Sequence, residues 1–156
     1  MGVAHMRYIA VDPGGKTGIA EYDTTSDTFI SWEEPHFEAV IQFICEATAS
    51  EGDNLVVICE GFRITSKTHK LDQGAFEQTL DIIGACHALC VLNGSEFVRN
   101  YPSDKEFGSD AHLRTLGWWY TGGDGHANDA ARHLLHRMAK IQYVPVLQRL
   151  TSEGTP

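Results

Sequence analysis

Four side chains stand out by where they fall in the chain: Asp12, Glu60, His126 and Asp129. Asp12 ends an apolar run, "RYIAVD", and enters a glycine-rich turn; Glu60 directly follows a second apolar run, "LVVIC". Two carboxylates at the ends of neighbouring strands would lie close together. Paired acids repel unless a cation sits between them, so the arrangement suits a divalent metal with oxygen ligands. Each acid taken alone is better read as a strand end meeting solvent. In "HANDAARHLLHRMAKI", His126 and Asp129 are three residues apart and point the same way from the first turn of a helix. Brought beside Asp12 and Glu60, they would complete a metal site; a solvated polar face fits the same spacing.

The turn after Asp12 also contains Gly15-Lys16-Thr17, which looks like part of a nucleotide-binding loop. Such a loop needs Gly-x-x-x-x-Gly-Lys-Ser/Thr, because successive backbone N–H groups must wrap the phosphates. Here the first glycine is replaced by Ala10, Asp12 would repel phosphate, and Pro13 has no N–H to give. The acid, not the lysine, is the centre of this motif.

The elements that must position these groups follow from periodicity. Residues 7–12 read as a strand, "GIAEYD" as a second and "TFISWE" as a third, joined by short turns into an antiparallel meander. Pro35 opens a helix with Phe37, Val40, Ile41, Ile44 and Ala47 on one apolar face. Residues 55–59 are apolar throughout, which suits a strand covered on both faces. Residues 73–92 follow with Phe76, Leu80, Ile83 and His87 on one stripe, then a fifth strand, "EFVRNY", stopped by Pro102. Residues 104–118 read as another helix, and a glycine-rich turn precedes a last helix over 126–141. On that helix Ala127, Ala130, Ala131, Leu134, Met138 and Ile141 share the apolar face, while His126, Asp129, His133, His136, Arg137 and Lys140 share the polar one. The order β-β-β-α-β-α-β-α-α implies an α/β protein with a mixed five-stranded sheet and helices on its faces.

At 156 residues the chain fits one domain over 6–150 and a tail over 151–156, with Met1 to His5 read as leftover expression sequence. No run of about 18 uninterrupted apolar residues suggests a membrane span, and no signal-peptide core is seen. Cys45, Cys59, Cys86 and Cys90 lack zinc-site spacing and read as reduced, mostly buried thiols. Localisation is expected to be cytoplasmic. The net charge of −9 argues against a polyanionic partner, but its distribution does not: only Arg7 and Lys16 of the twelve basic residues precede residue 61.

Three ordered motifs resemble those of RuvC-type Holliday-junction resolvases. "VDPGGKTG" is similar to their first motif, "VVICEGF" to the second, and "HANDAARH" to the last, over residues 7–140. The small size resembles the resolvases encoded by bacteriophages, for which the location would be the host cytoplasm. The resemblance implies a ribonuclease-H-like fold with helices on both faces, and a homodimer that cuts branched DNA. It also implies two Mg²⁺ or Mn²⁺ ions about 4 Å apart and products with a 5′-phosphate and a 3′-hydroxyl. Asp12, Glu60 and Asp129 match the metal-binding acids of the family. His126 stands where many relatives have a fourth acid, leaving both ligand and acid–base roles open to it.

DNA contacts are expected from Phe62, which could stack on an unpaired base, and from Arg63, Lys67, Lys70, Lys105 and Arg114. Core packing is the alternative for Phe62, and solvated surface for the five cations. Lys16 is read as a DNA-backbone contact or plain surface charge. Trp118, Trp119 and Tyr120 read as packing. Competing readings are a nuclease of the same fold acting on RNA, RNA–DNA hybrid, flaps or forks; a non-catalytic branched-DNA-binding module; an actin-like nucleotide-binding domain; and a zinc site on His126, Asp129 and His133, which would leave Asp12 and Glu60 unused.

Overall fold

The computed structural model describes residues 4–62 and 73–152. Strands β1 (Arg7–Asp12), β2 (Thr17–Asp23) and β3 (Thr28–Glu34) form the meander; β4 (Leu55–Glu60) and β5 (Glu96–Asn100) continue the sheet. The spatial order is β3-β2-β1-β4-β5, antiparallel across the first three strands and parallel from β1 to β5. Helices α1 (Phe37–Glu51) and α2 (Gln73–Asn93) supply the crossovers from β3 to β4 and from β4 to β5. Beyond β5 come a 3-10 segment (Pro102–Phe107), α3 (Asp110–Thr115), α4 (His126–Lys140) and α5 (Val144–Ser152).

The continuous apolar runs of β1 and β4 are explained by a core on each side of the sheet. Ile9, Val11, Val57 and Cys59 face α1 and α2, where Val40, Ile44, Ile82, Ile83, Cys86 and Cys90 pack on them. Tyr8, Ala10, Ala20, Tyr22, Val56 and Ile58 face α4. Successive side chains of a strand alternate between faces, so Asp12 and Glu60 inherit the α4 side.

Small residues let α4 lie close to that face. Ala130 and Ala131 on the helix pack in one cluster with Ala10 and Ala20 on the strands, and Gly18 leaves room for the first helical turn. A Cβ at Gly18 would stand 1.9 Å from the carbonyl oxygen of His126. Gly18→Ala is therefore expected to lower unfolding free energy by about 1–3 kcal/mol through overpacking. Gly15→Ala, whose Cβ would meet nothing within 4 Å, serves as the control in the same urea titration and should leave stability unchanged or slightly raised.

Several expectations are corrected. The helix expected over 104–118 is split, because Gly108 packs against Arg132 so closely that a Cβ would lie 2.8 Å from its Cα, and Ser109 caps a separate α3. The first helix begins at Phe37, two residues after Pro35. The inner face of α2 is Ile82, Ile83, Cys86 and Cys90, whereas Leu80 is exposed. By length and composition α2 could cross a bilayer, which a search for uninterrupted apolar runs passes over; its inner face packs on the sheet. Ile141 lies beyond α4 and is exposed, and α5 was not foreseen. Of the cysteines, Cys45 is exposed and the other three are buried free thiols.

Candidate nuclease site

One lateral row of residues crosses all five strands on the α4 face. The register pairs Glu33 with Gly18, Gly18 with Asp12, and Glu60 with Asn100. The Val11–Cys59 pair sets Asp12 and Glu60 side by side one step further along. Helix α4 runs over this row, and its polar side chains reach down to it.

At the β3 edge, Glu33 accepts backbone N–H bonds from Asp124 (2.9 Å), Gly125 (3.0 Å) and Ala127 (3.3 Å). A carboxylate among the free N–H groups of a helix start satisfies them and complements the helix dipole. Burial pushes the Glu33 carboxyl up, but those N–H bonds outweigh it and hold the group below its ordinary value. Gly125 adopts φ +105°, which turns the chain into the helix. Lys16 does not approach the carboxylates at the row's centre: it bonds Asp124 at 2.5 Å and stands 3.8 Å from Glu33, tying the β1–β2 turn to the start of α4.

Next in the row, His126 Nδ1 lies 2.9 Å from Asp12 Oδ2. Burial raises the affinity of Asp12 for a proton; the His126 bond works against this, and the negative charges of Glu60 and Asp129 add to it. The bond to Asp12 in turn raises the proton affinity of the half-exposed His126 imidazole, against the effect of burial. These two residues are therefore hydrogen-bonded to each other at the mouth of the site.

Glu60 and Asp129 are bridged by an ammonium. Lys105 Nζ lies 2.8 Å from Asp129 Oδ2 and 3.3 Å from Glu60 Oε2. The 3-10 segment that follows β5 carries Lys105 back over the strand ends. Arg132 holds the other oxygen of Asp129 at 2.6 Å, is itself anchored by the Gly108 carbonyl at 2.9 Å, and pairs with Asp110. Burial pushes both carboxyls up, yet His133 and Lys105 at Glu60, and Lys105 and Arg132 at Asp129, hold both below their ordinary values.

The structure thus brings Asp12, Glu60, His126, Asp129 and Lys105 to one place. Among the described residues, however, no three His, Cys, Asp or Glu side chains already stand as a metal-holding group. The donor chemistry nonetheless fits a hard divalent cation. Three carboxylates converge, their mutual repulsion is felt at Asp12, and a lysine ammonium sits between two of them as a stand-in cation.

Other expectations land elsewhere. Phe62 is half-buried and meets the Phe76 ring edge-on at 4.8 Å. Arg114 stacks over Trp119 at 4.0 Å and is not among the cations bound to Glu60 or Asp129. Arg63, Lys67 and Lys70 lie outside the described residues. Trp118 is buried and stacks on Phe29 at 4.4 Å, and the Asn128 amide clips both backbone groups of Tyr120. His133, expected on a solvated face, is fully buried, with Nε2 2.5 Å from Glu60 Oε2 and Nδ1 3.3 Å from Asn100 Nδ2. A helix wheel misses it because α4 is covered on two sides, by the sheet and by the 3-10 and α3 region. Its only sequence signal is its place one helical turn beyond Asp129.

No family model matches the chain, and no curated protein matches it in sequence. Solved structures do match in fold. RuvC of T. thermophilus in complex with a Holliday junction substrate aligns with a TM-score of 0.61 at 13% identity, over 88% of this chain and 96% of that one. A second Thermus thermophilus RuvC structure aligns with the same TM-score at 11% identity, over 88% and 97%. The five-stranded mixed sheet and its helices are the ribonuclease-H-like fold of RuvC.

Proposed function

We propose that this chain is a divalent-metal-dependent endonuclease that cleaves Holliday junctions and other branched DNA by phosphodiester hydrolysis. The observation that carries the reading is the convergence of Asp12, Glu60 and Asp129, with His126 and Lys105 among them, at the sheet's strand ends. That this convergence occurs on the fold of RuvC supports it further.

Asp12, Glu60 and Asp129 would hold two Mg²⁺ or Mn²⁺ ions, whose chemistry there is to stabilise charge on the phosphate and to activate water. Around them the protein supplies positioning and protons. His126 is hydrogen-bonded to Asp12 and is exposed enough to exchange a proton with a water at the site mouth. Lys105 provides positive charge for the scissile phosphate once it leaves its carboxylates. Arg132 keeps the second oxygen of Asp129 fixed. Phe62, Arg63, Lys67, Lys70 and Arg114 remain proposed DNA contacts.

A homodimer is part of the proposal. The outward face of α2 exposes Leu80, Val91 and Leu92, and Gly84, His87 and Ala88 line a shallow groove beside the last two. That apolar stripe is proposed to pack on a second copy.

The substrate class is tested with end-labelled four-way junction, flap, linear duplex and RNA–DNA hybrid, each with Mg²⁺ or Mn²⁺. Cutting of the junction well ahead of linear duplex is the expected result. Cutting of the hybrid alone would replace this reading with that of a ribonuclease, and binding without cutting would replace it with that of a DNA-binding module.

A further inference from the structure

The geometry points to Asn100 and His133 as positioning residues that fix the Glu60 carboxylate through a directional hydrogen-bond relay across β5, α4 and β4. The inference deepens the nuclease reading and rests on it for the role of Glu60. His133 is completely buried, yet both of its ring nitrogens face polar partners. A buried imidazole used at both ends is built for orientation, because each unpaired nitrogen would otherwise carry a desolvation cost.

The direction of the relay follows from the donor inventory. Asn100 Nδ2 is an amide nitrogen and can only donate. It lies 3.3 Å from His133 Nδ1 and 3.5 Å from the His133 carbonyl oxygen, both of which accept. The flipped amide would set its oxygen against that carbonyl, so the hydrogen-bond network assigns the nitrogen to this side. Nδ1 therefore accepts and carries no proton. The ring proton is on Nε2, which donates to Glu60 Oε2 at 2.5 Å.

Asn100 is itself fixed by the sheet. It pairs with Glu60 in the register of β4 and β5, and its carbonyl accepts the Gly61 N–H at 2.5 Å. The residue that selects the tautomer of His133 is thus locked beside the carboxylate that the tautomer orients. Outer partners of this kind set the direction of a ligating or reacting group, and their removal commonly costs about 10–100-fold in affinity or activity.

The test uses the full chain in two measurements. Long-range proton–nitrogen NMR without metal should show His133 protonated at Nε2 and bare at Nδ1. Asn100→Asp, which replaces the donor by an acceptor at unchanged size, should put a proton on Nδ1 as well. Single-turnover cutting of a four-way junction in Mg²⁺ should fall roughly 10–100-fold for Asn100→Asp and His133→Leu, with unchanged junction affinity. His133→Gln, whose amide can donate from the place of Nε2–H, should recover most of that loss. A wild-type ring protonated at Nδ1, or equal rates for the Leu and Gln variants, would overturn the relay. If the wild type cuts no branched DNA, the nuclease reading fails by itself. The tautomer, with Mn²⁺ affinity read by electron paramagnetic resonance across the same variants, still decides the relay.

Discussion

Asp129→Asn is expected to abolish metal-dependent cutting of a four-way junction while the protein still folds and still binds DNA. Asparagine keeps the size of the side chain and one acceptor oxygen, so the first turn of α4 has no reason to move. What it loses is charge. Asp129 offers one oxygen to Lys105 at 2.8 Å and the other to Arg132 at 2.6 Å, and it is one of the three carboxylates that would hold cations. With a neutral amide there, Lys105 keeps only Glu60 and Arg132 only Asp110 as charged partners, and the cation site loses a third of its negative charge. A rate loss on the order of 10³-fold is expected, which corresponds to about 4 kcal/mol of transition-state stabilisation. The stability cost should be small, since the pairs are partly exposed and such pairs contribute about 1 kcal/mol or less. Gel-shift affinity for the junction and the circular dichroism spectrum provide the controls.

Lys105→Met should have two effects of opposite sign. Lys105 neutralises Glu60 and Asp129 where a divalent cation would otherwise do so. Cation entry must displace the ammonium, and like charges at this range oppose each other by about 1 kcal/mol in water and about 4 kcal/mol nearer the protein interior. Methionine matches the length of lysine without its charge. The variant is therefore expected to bind Mn²⁺ roughly tenfold more tightly, the equivalent of about 1.4 kcal/mol, and to unfold at lower temperature without metal. It should also cut the junction more slowly, because the cation meant for the scissile phosphate is gone. Mn²⁺ affinity that is unchanged or weaker would show that Lys105 is not the stand-in cation.

The positions of Asp12 and Glu60 were legible because both end runs in which every second residue must face α4. Parity alone then sets them on one face, and β1 and β4 prove to be parallel neighbours. Asp129 was legible from its spacing to His126. The remaining parts of the site are set by contacts between distant segments. Glu33 caps a helix more than ninety residues away, and nothing in "SWEE" announces it. Lys105 reaches Glu60 only because the chain folds back through a 3-10 segment instead of continuing as the expected helix. His133 sits among polar residues of α4, and hydrophobic periodicity reads any such residue as solvent-facing. That it is buried follows from Asn100 and Glu60 waiting beneath it, which is tertiary information. The uneven charge distribution also has a tertiary counterpart. The acidic first sixty residues carry Asp12, Glu60 and Glu33, and these are partnered by His126, by Lys105 and His133, and by the N–H groups at the start of α4, all from the later part of the chain.

The most direct measurement follows one labelled four-way junction with the wild-type protein, first in EDTA and then after addition of Mg²⁺ in excess. The account predicts an intact junction in EDTA and, on addition of Mg²⁺, paired nicks bearing 5′-phosphate and 3′-hydroxyl ends. Cutting at the same rate in EDTA, or an intact junction in both, would contradict it.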